Sequence, residues 1–389
     1  MPRPGAQEPV AAAVAATGGS VFSPLAHRLA EHPGPLFPLH VGDTWLAPFE
    51  GARVEQLRED AIPGLHRYAP TPGLPPLLDA LVERERARTG LAREREELLV
   101  TAGATGGLAC AVSAVVDPGE EVLVLAPFWP LIRGIVRSHR GVPVEVPFYD
   151  RVVSAEEAVA AVEAARSPRT VALYVSTPSN PTGRTIPEAW LEALAAWTRD
   201  HDLWLLSDET YDDLVYRGRH VPLAPHAPER TVAVHSFSKT WGLAGNRVGW
   251  LAGPPRLVEA AHKAMVHNVY HPPTAGQHAA LRVLRDGEAW LERAREAYRA
   301  AGEDAARELG LPAPEGSTFL FLDVRDRVGA RGVPGLLEDL LEEGVVLAPG
   351  ASSGRDYEGF LRLCYTSAPP EDVAEAIRRL ARVLERAAA

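Results

Sequence analysis

Only two of the forty basic residues are lysines; the other thirty-eight are arginines. A guanidinium stays protonated at any working pH, so a position that needs a nucleophilic amine must keep lysine. Lys263 lies in PRLVEAAHKAMV, a helical pattern in which it reads as part of a solvated face. Lys239 follows the apolar run TVAVHSFS, with Ser236 and Ser238 before it and Arg247 after it in SFSKTWGLAGNRVGW. A lysine at the carboxyl end of a strand points into the crevice where open α/β sheets bind ligands. The hydroxyls and the arginine suit a phosphate, and an amine beside a phosphate and an aldehyde is the arrangement that Schiff-base chemistry requires. Taken alone, Lys239 reads as an exposed loop lysine. Its companions overturn that.

In LWLLSDETYDD, Asp208 ends a second apolar run and Tyr211 stands three residues on. A carboxylate buried at a strand end must be paired, or its pKa rises. A pyridinium nitrogen is one such partner, and pyridoxal phosphate needs that protonated ring as the electron sink for charge at a substrate α-carbon. Tyr211 is placed to donate to the phenolic oxygen of such a ring. Read locally, Ser207 or Asp208 is an ordinary helix N-cap. Asn180 opens NPTG after a third run, which by itself is a turn. GATGG, residues 103–107, follows a fourth run and opens a helix, where backbone N–H groups hold anions well.

Positioning these residues requires a sheet. Seven short runs, at 97–103, 121–127, 142–148, 170–178, 203–209, 231–238 and 248–254, are rich in Val and Leu and several are nearly continuous. Strands apolar on both faces belong to a sheet covered by helices on both sides. Helical stretches at 106–116, 129–140, 154–166 and 187–200 lie between them, the alternation of a mostly parallel α/β sheet. A long helical region over 274–309 follows, then short runs at TFLFLDV, VVLAP and FLRLCYTS among further helices, which predicts a smaller α+β unit. The division expected is a Pro-rich segment, 1–48, packing on the small domain, a large domain at 49–288 and the small domain at 289–389.

Composition bounds the function. The 389 residues are 46% hydrophobic and 23% charged, the balance of a soluble globular protein with ample core material. A net charge of -11 argues against a nucleic-acid partner, which would need a concentrated positive footprint. Cys110 and Cys364 form no metal-binding or disulfide framework, and no HExxH pattern marks a metal site. The Ala-rich N-terminus is too weakly hydrophobic to span a membrane. A cytoplasmic protein is expected.

In order along the chain, LHVGD, YAPTPGLPPLLDAL, VTAGATGGL, APFWP, SNPTGR, LSDETYDD, SFSKTWGLAGNRVGW and FLRLCYTS resemble the fold-type I pyridoxal-phosphate enzymes. The likeness is to class I/II aminotransferases of the aspartate and aromatic kind, and runs from about residue 38 to the C-terminus. The resemblance implies a large domain with a mostly parallel seven-stranded sheet covered by helices, plus a smaller α+β domain. It implies that Lys239 carries the cofactor and later moves the substrate proton, and that Asp208 pairs with the pyridine nitrogen. Asn180 and Tyr211 would bond the phenolic oxygen. Trp129 would stack on the ring, although Phe128 beside it is easily mistaken for it. Gly103, Ala104, Thr105, Ser236, Ser238 and Arg247 would surround the phosphate, and Tyr68 would reach the phosphate of the other subunit in a homodimer. Arg362 would clamp the substrate carboxylate, with a backbone contact from Gly42 and a further contact from Asn180.

The activity implied is transfer of an amino group between an α-amino acid and a 2-oxo acid by a ping-pong route. β- or γ-Elimination of the C–S lyase type, or other specialised amino-acid chemistry, uses the same cofactor machinery. A ligand-sensing domain of the same fold is a more distant alternative, against which the absent basic helix module argues. The chain departs from aspartate-specific relatives in lacking a recognisable second arginine for a side-chain carboxylate. His267, Tyr270 and His271 occupy the stretch where such relatives send residues into the partner's pocket.

Overall fold

All seven apolar runs form strands of one sheet: β1 (Leu98–Thr101), β2 (Glu121–Ala126), β3 (Val142–Pro147), β4 (Thr170–Ser176), β5 (Trp204–Asp208), β6 (Thr231–Ser236) and β7 (Gly249–Ala252). The computed structural model describes residues 10–15, 17 and 26–388, so much of the Ala/Gly-rich N-terminus lies outside the described residues. The strand order is β1-β7-β6-β5-β4-β2-β3. Only β7 runs antiparallel to its neighbours; the other pairings are parallel.

Burial on both faces follows from the alternation of side chains along each strand. Val122 and Val124 of β2 and Leu206 of β5 pack against Leu108 and Val112 of the helix Gly103–Val115 and Leu257 of the helix Pro255–Val266. Leu123 and Leu125 of β2 and Leu205 of β5 face the other way, onto Val162 of Ala155–Ala165 and Leu191 and Leu194 of Glu188–Asp200. Each such fully buried aliphatic side chain contributes roughly 1.5–3 kcal/mol. The parallel run of β4, β5 and β6 brings their carboxyl ends to one edge, with Ser176 beside Asp208 and Asp208 beside Val234. Because β7 is antiparallel to both β1 and β6, Thr101 and Ser236 share that edge, each opposite Gly249.

A second sheet, in the order β8-β10-β9, joins β8 (Phe319–Asp323), β9 (Ala348–Pro349) and β10 (Phe360–Cys364). Its core includes Leu320, Leu322, Leu361 and Leu363, side chains of the helices Glu288–Leu309, Gly332–Glu342 and Pro370–Ala388, and also Phe37 and Leu39. Arg362 sits in the central strand, opposite Phe321 on one side and Ala348 on the other.

Two local expectations change. The helical region 274–309 is two helices, Thr274–Asp286 and Glu288–Leu309, broken at Gly287. A Cβ there would come within 2.6 Å of the Val283 carbonyl oxygen and 2.9 Å of the Trp241 ring, a crowding that periodicity does not register. VVLAP yields a strand of only two residues, because Phe37 forms a parallel bridge with Val345 and takes the hydrogen bonds of Gly344 and Val346.

Candidate active site

At the shared edge, between the two sheets, lies a cavity of about 170 Å³. Asp208, Ser236, Ser238, Lys239 and Arg247 line it from the large sheet, Ala104 and Thr105 from the first turn of Gly103–Val115, and Arg362 and Phe319 from the small sheet. Gly42, Trp129, Asn180 and Tyr211 complete the wall. Thus twelve of the fourteen residues expected from the sequence meet in one place. Gly103 adjoins it, since a Cβ on Gly103 would lie 2.7 Å from the Arg247 guanidinium.

Asp208 is buried, and its partners are neutral. Its Oδ1 accepts from the Thr210 hydroxyl at 2.6 Å and the Thr210 amide at 3.2 Å, and its Oδ2 accepts from the Tyr174 hydroxyl at 2.7 Å. Burial raises the carboxyl pKa, and the donors Thr210 and Tyr174, with His235 beyond them, only partly counter it. Such a carboxylate favours a cation facing it from the cavity. That is what a protonated pyridine nitrogen would supply, so the residues present fit the cofactor.

Lys239 is nearly buried; its Nζ donates to the carbonyl of Gly42. Burial lowers the ammonium pKa, against the pull of Asp43 and Cys364 and with the push of Arg247 and Arg362. A lysine so placed yields its proton more readily than one in water. The buried Arg362 donates to Asn180 Oδ1 at 3.0 Å and to the His40 carbonyl at 2.9 Å, and its guanidinium lies 4.5 Å from the Phe319 ring centroid. Its Nε is buried with no hydrogen-bond partner. Burial pushes the His40 imidazole beside it down to about 4, helped by the Arg362 charge. Asn180 Nδ2 and the Tyr211 hydroxyl are 3.5 Å apart, and burial holds that phenol above its ordinary pKa.

The helix start at Gly103, the hydroxyls of Ser236 and Ser238, and Arg247 form a compact cradle. Gly103 is left-handed at φ +69° and Arg247 at φ +53°, and Ser236 Oγ accepts from the Ser238 amide at 3.0 Å. Gly249 leaves no room for a side chain: a Cβ there would approach the Gly103 carbonyl carbon to 2.8 Å and the Ala104 nitrogen to 2.9 Å. Gly249→Ala is therefore expected to lose about 1–3 kcal/mol in a denaturant melt. Gly245→Ala, where a Cβ meets nothing within 4 Å, should lose far less. Equal losses would contradict the crowding.

Trp129 borders the cavity, whereas Phe128 is wholly buried beneath the Arg133 guanidinium. Tyr68 is away from this cavity, 83% exposed, with its ring edge-on to Tyr270 at 5.1 Å and His271 at 5.5 Å. Tyr270 has φ +66°, a conformation that a bulky side chain rarely adopts. His267 caps the helix Pro255–Val266 and, like Tyr270 and His271, does not line this chain's cavity. Lys263 lies on the solvated face expected, paired with Glu259 at 2.6 Å.

Sequence reasoning missed Leu108, Thr210 and Phe319 in the wall and Tyr174 behind Asp208. Thr210, between Asp208 and Tyr211, was open to notice, because an aspartate commonly accepts from the backbone N–H two residues on. Tyr174 carries no local signal; only the register of β4 against β5 brings it to Asp208.

The turn that holds Asp208 and Tyr211 is anchored from outside the cavity. Arg88 reaches Asp212 at 3.0 Å and Asp213 at 2.6 Å, and Arg84 reaches Asp213 at 2.5 Å. His235 lies between Asp212 at 2.9 Å and Glu85 at 3.4 Å, stacked on Trp250 with centroids 4.5 Å apart. Burial alone would lower the His235 pKa, but Glu85 and Asp212 outweigh it and hold the imidazole above its usual 6.5. A raised histidine gives stability that is full below its unfolded pKa and is lost as pH rises through its folded value. His235→Gln should therefore cost about 3 kcal/mol in urea melts at pH 6 and markedly less at pH 9. A pH-independent cost would remove this charge assignment.

Comparison with known proteins agrees with the geometry. Residues 35–380 match the family model described as aminotransferase class I and II. The chain is 37% identical over 350 residues to an aspartate/prephenate aminotransferase of Thermus thermophilus, covering 86% of this chain and 87% of that one. It is 32% identical over 346 residues to aromatic-amino-acid aminotransferase 2 of Thermococcus litoralis, covering 85% and 87%. Its structure superposes on that of the aspartate aminotransferase of Thermus thermophilus with maleate at a TM-score of 0.87 and 34% identity, over 96% of this chain and 99% of that one. A fold-type I sheet, a cavity at its carboxyl edge and relatedness over nearly the whole chain make this protein an enzyme of the class I and II aminotransferase family.

Proposed function

We propose that the cavity holds pyridoxal 5'-phosphate on Lys239 and that the enzyme exchanges an amino group between an α-amino acid and a 2-oxo acid in two half-reactions. The observation that carries this reading is a buried amine and a buried, cation-seeking carboxylate, Lys239 and Asp208, in one cavity beside a helix start and an arginine. When bound, the cofactor supplies an electron sink for charge developing at the substrate α-carbon. Asp208 faces the pyridine nitrogen and keeps its proton in place. Asn180 and Tyr211 orient the phenolic oxygen, and Trp129 covers one side of the ring. Arg247, Ser236, Ser238 and the backbone of Gly103, Ala104 and Thr105 take the phosphate. Arg362 grips the substrate carboxylate with its planar fork, assisted by Asn180 and the backbone of Gly42. Lys239, low in pKa and close by, takes the proton from the α-carbon and returns it.

The same reading makes the enzyme a homodimer, in which Tyr68 reaches the phosphate of the partner subunit. The exposure of Tyr68 and its aromatic cluster with Tyr270 and His271 support it. The two cysteines are free and buried, in keeping with a reducing cytoplasmic setting. Among the described residues no helix is long and apolar enough to cross a membrane.

The test mixes the cofactor-loaded protein with a panel of amino acids and follows the cofactor absorbance, with mass analysis of the products. An oxo acid formed together with stoichiometric pyridoxamine phosphate supports amino transfer. Ammonia with pyruvate or oxobutyrate would replace it by elimination, and binding without turnover would point to a sensing role.

A further inference from the structure

Asp208 has more company than a cofactor acid needs. An ionised carboxylate offers about four lone-pair sites. Three are taken, by the Thr210 amide, the Thr210 hydroxyl and the Tyr174 hydroxyl, which leaves one for a ligand. Tyr174 is not a neighbour in sequence. β4 and β5 pair Ser176 with Asp208, so Tyr174, two residues back on the same face, sends its hydroxyl forward along the strand to the carboxylate. Its ring is fully buried in the core under the helix Gly103–Val115.

The charges around Asp208 show what this contact does. His235 on β6 acts on it through charge, and Tyr149 after β3 and Tyr211 of its own turn feel its charge in return. Burial, followed by the Asp208 charge, holds the Tyr174 phenol well above its ordinary range. It therefore remains a neutral donor at every working pH. A donor that bonds an ionised acid stabilises that form over the protonated one.

We propose that Tyr174 is a positioning residue for the reaction: its hydroxyl fixes Asp208 Oδ2 and keeps the acid ionised, so that the proton stays on the pyridine nitrogen. The proposal rests on the cofactor reading above. Losing a hydrogen bond to a charged acceptor costs roughly ten- to a hundredfold in an equilibrium or a rate.

The test uses the full-length enzyme loaded with pyridoxal phosphate labelled with ¹⁵N in the ring. Tyr174→Phe should move the ring nitrogen resonance from the protonated toward the unprotonated position. It should lower kcat by roughly ten- to a hundredfold, with KM held within about twofold. In an Asp208→Asn background the same substitution should change neither, because the effect runs through the carboxylate. An unmoved resonance in Tyr174→Phe, or an equal loss in both backgrounds, would overturn the proposal. If Tyr174→Phe does not fold, Tyr174→Met, equally without a donor but more adaptable in packing, takes its place. Absence of any bound-ring resonance in the unaltered enzyme would defeat the cofactor reading itself, and is told apart by that control.

Discussion

Lys239→Ala is expected to abolish the yellow absorbance of the loaded enzyme and the adduct trapped by borohydride, and to lower kcat by ~10⁴-fold. The effect is large because two tasks fall on one atom, covalent attachment and proton transfer at the substrate α-carbon. The alternative amine is a clear control. Lys263 is 69% exposed and tied to Glu259, on the helix Pro255–Val266. Lys263→Ala should leave absorbance, adduct and rate unchanged. Arginine at 239 should behave like alanine, since its charge would persist but no free amine would form. A trapped adduct that survives in Lys239→Ala and vanishes in Lys263→Ala would remove the assignment altogether.

Arg362→Lys should lower kcat/KM by about 10²-fold or more, most of it through KM, although the charge is kept. The reason is geometric. Arg362 is held by three constraints at once: the amide oxygen of Asn180, the carbonyl of His40 and the face of Phe319. A guanidinium satisfies them in one plane and still presents further N–H groups to a carboxylate, whereas an ammonium has no fork. The substrate should lose both its grip and its orientation. Steady-state kinetics with any accepted amino acid decide the matter; a loss below about threefold would mean that another group binds the carboxylate.

Much of this site was legible in the sequence because its residues sit where local pattern is strong. Asp208 ends β5 and Lys239 follows the end of β6, and both strands are nearly continuous apolar runs that a covered sheet demands. Gly103 and Asn180 follow β1 and β4 in turns with their own vocabulary. What escaped depends on contacts across the chain. Tyr174 meets Asp208 only through strand register, and Phe319 enters from the small sheet. Likewise Trp241 packs against Gly287, where the two helices meet and a Cβ would not fit, from 46 residues away in sequence, a contact invisible to helical periodicity. The shortening of VVLAP has the same origin, because Phe37 claims the hydrogen bonds that a longer strand would use. Arg362 is the instructive case between these extremes. Among thirty-eight arginines only the surrounding FLRLCYTS sets it apart, and in the structure it lies in the central strand of the small sheet and lines the cavity.

The scarcity of lysine has a practical side. With one ε-amine enclosed beside Gly42 and the other exposed on an outer helix, where it pairs with Glu259, acylating reagents meet a single lysine side chain on the folded surface. A fluorophore or a solid support coupled at position 263 would hold the protein by one outer helix, through a residue that does not line the catalytic pocket.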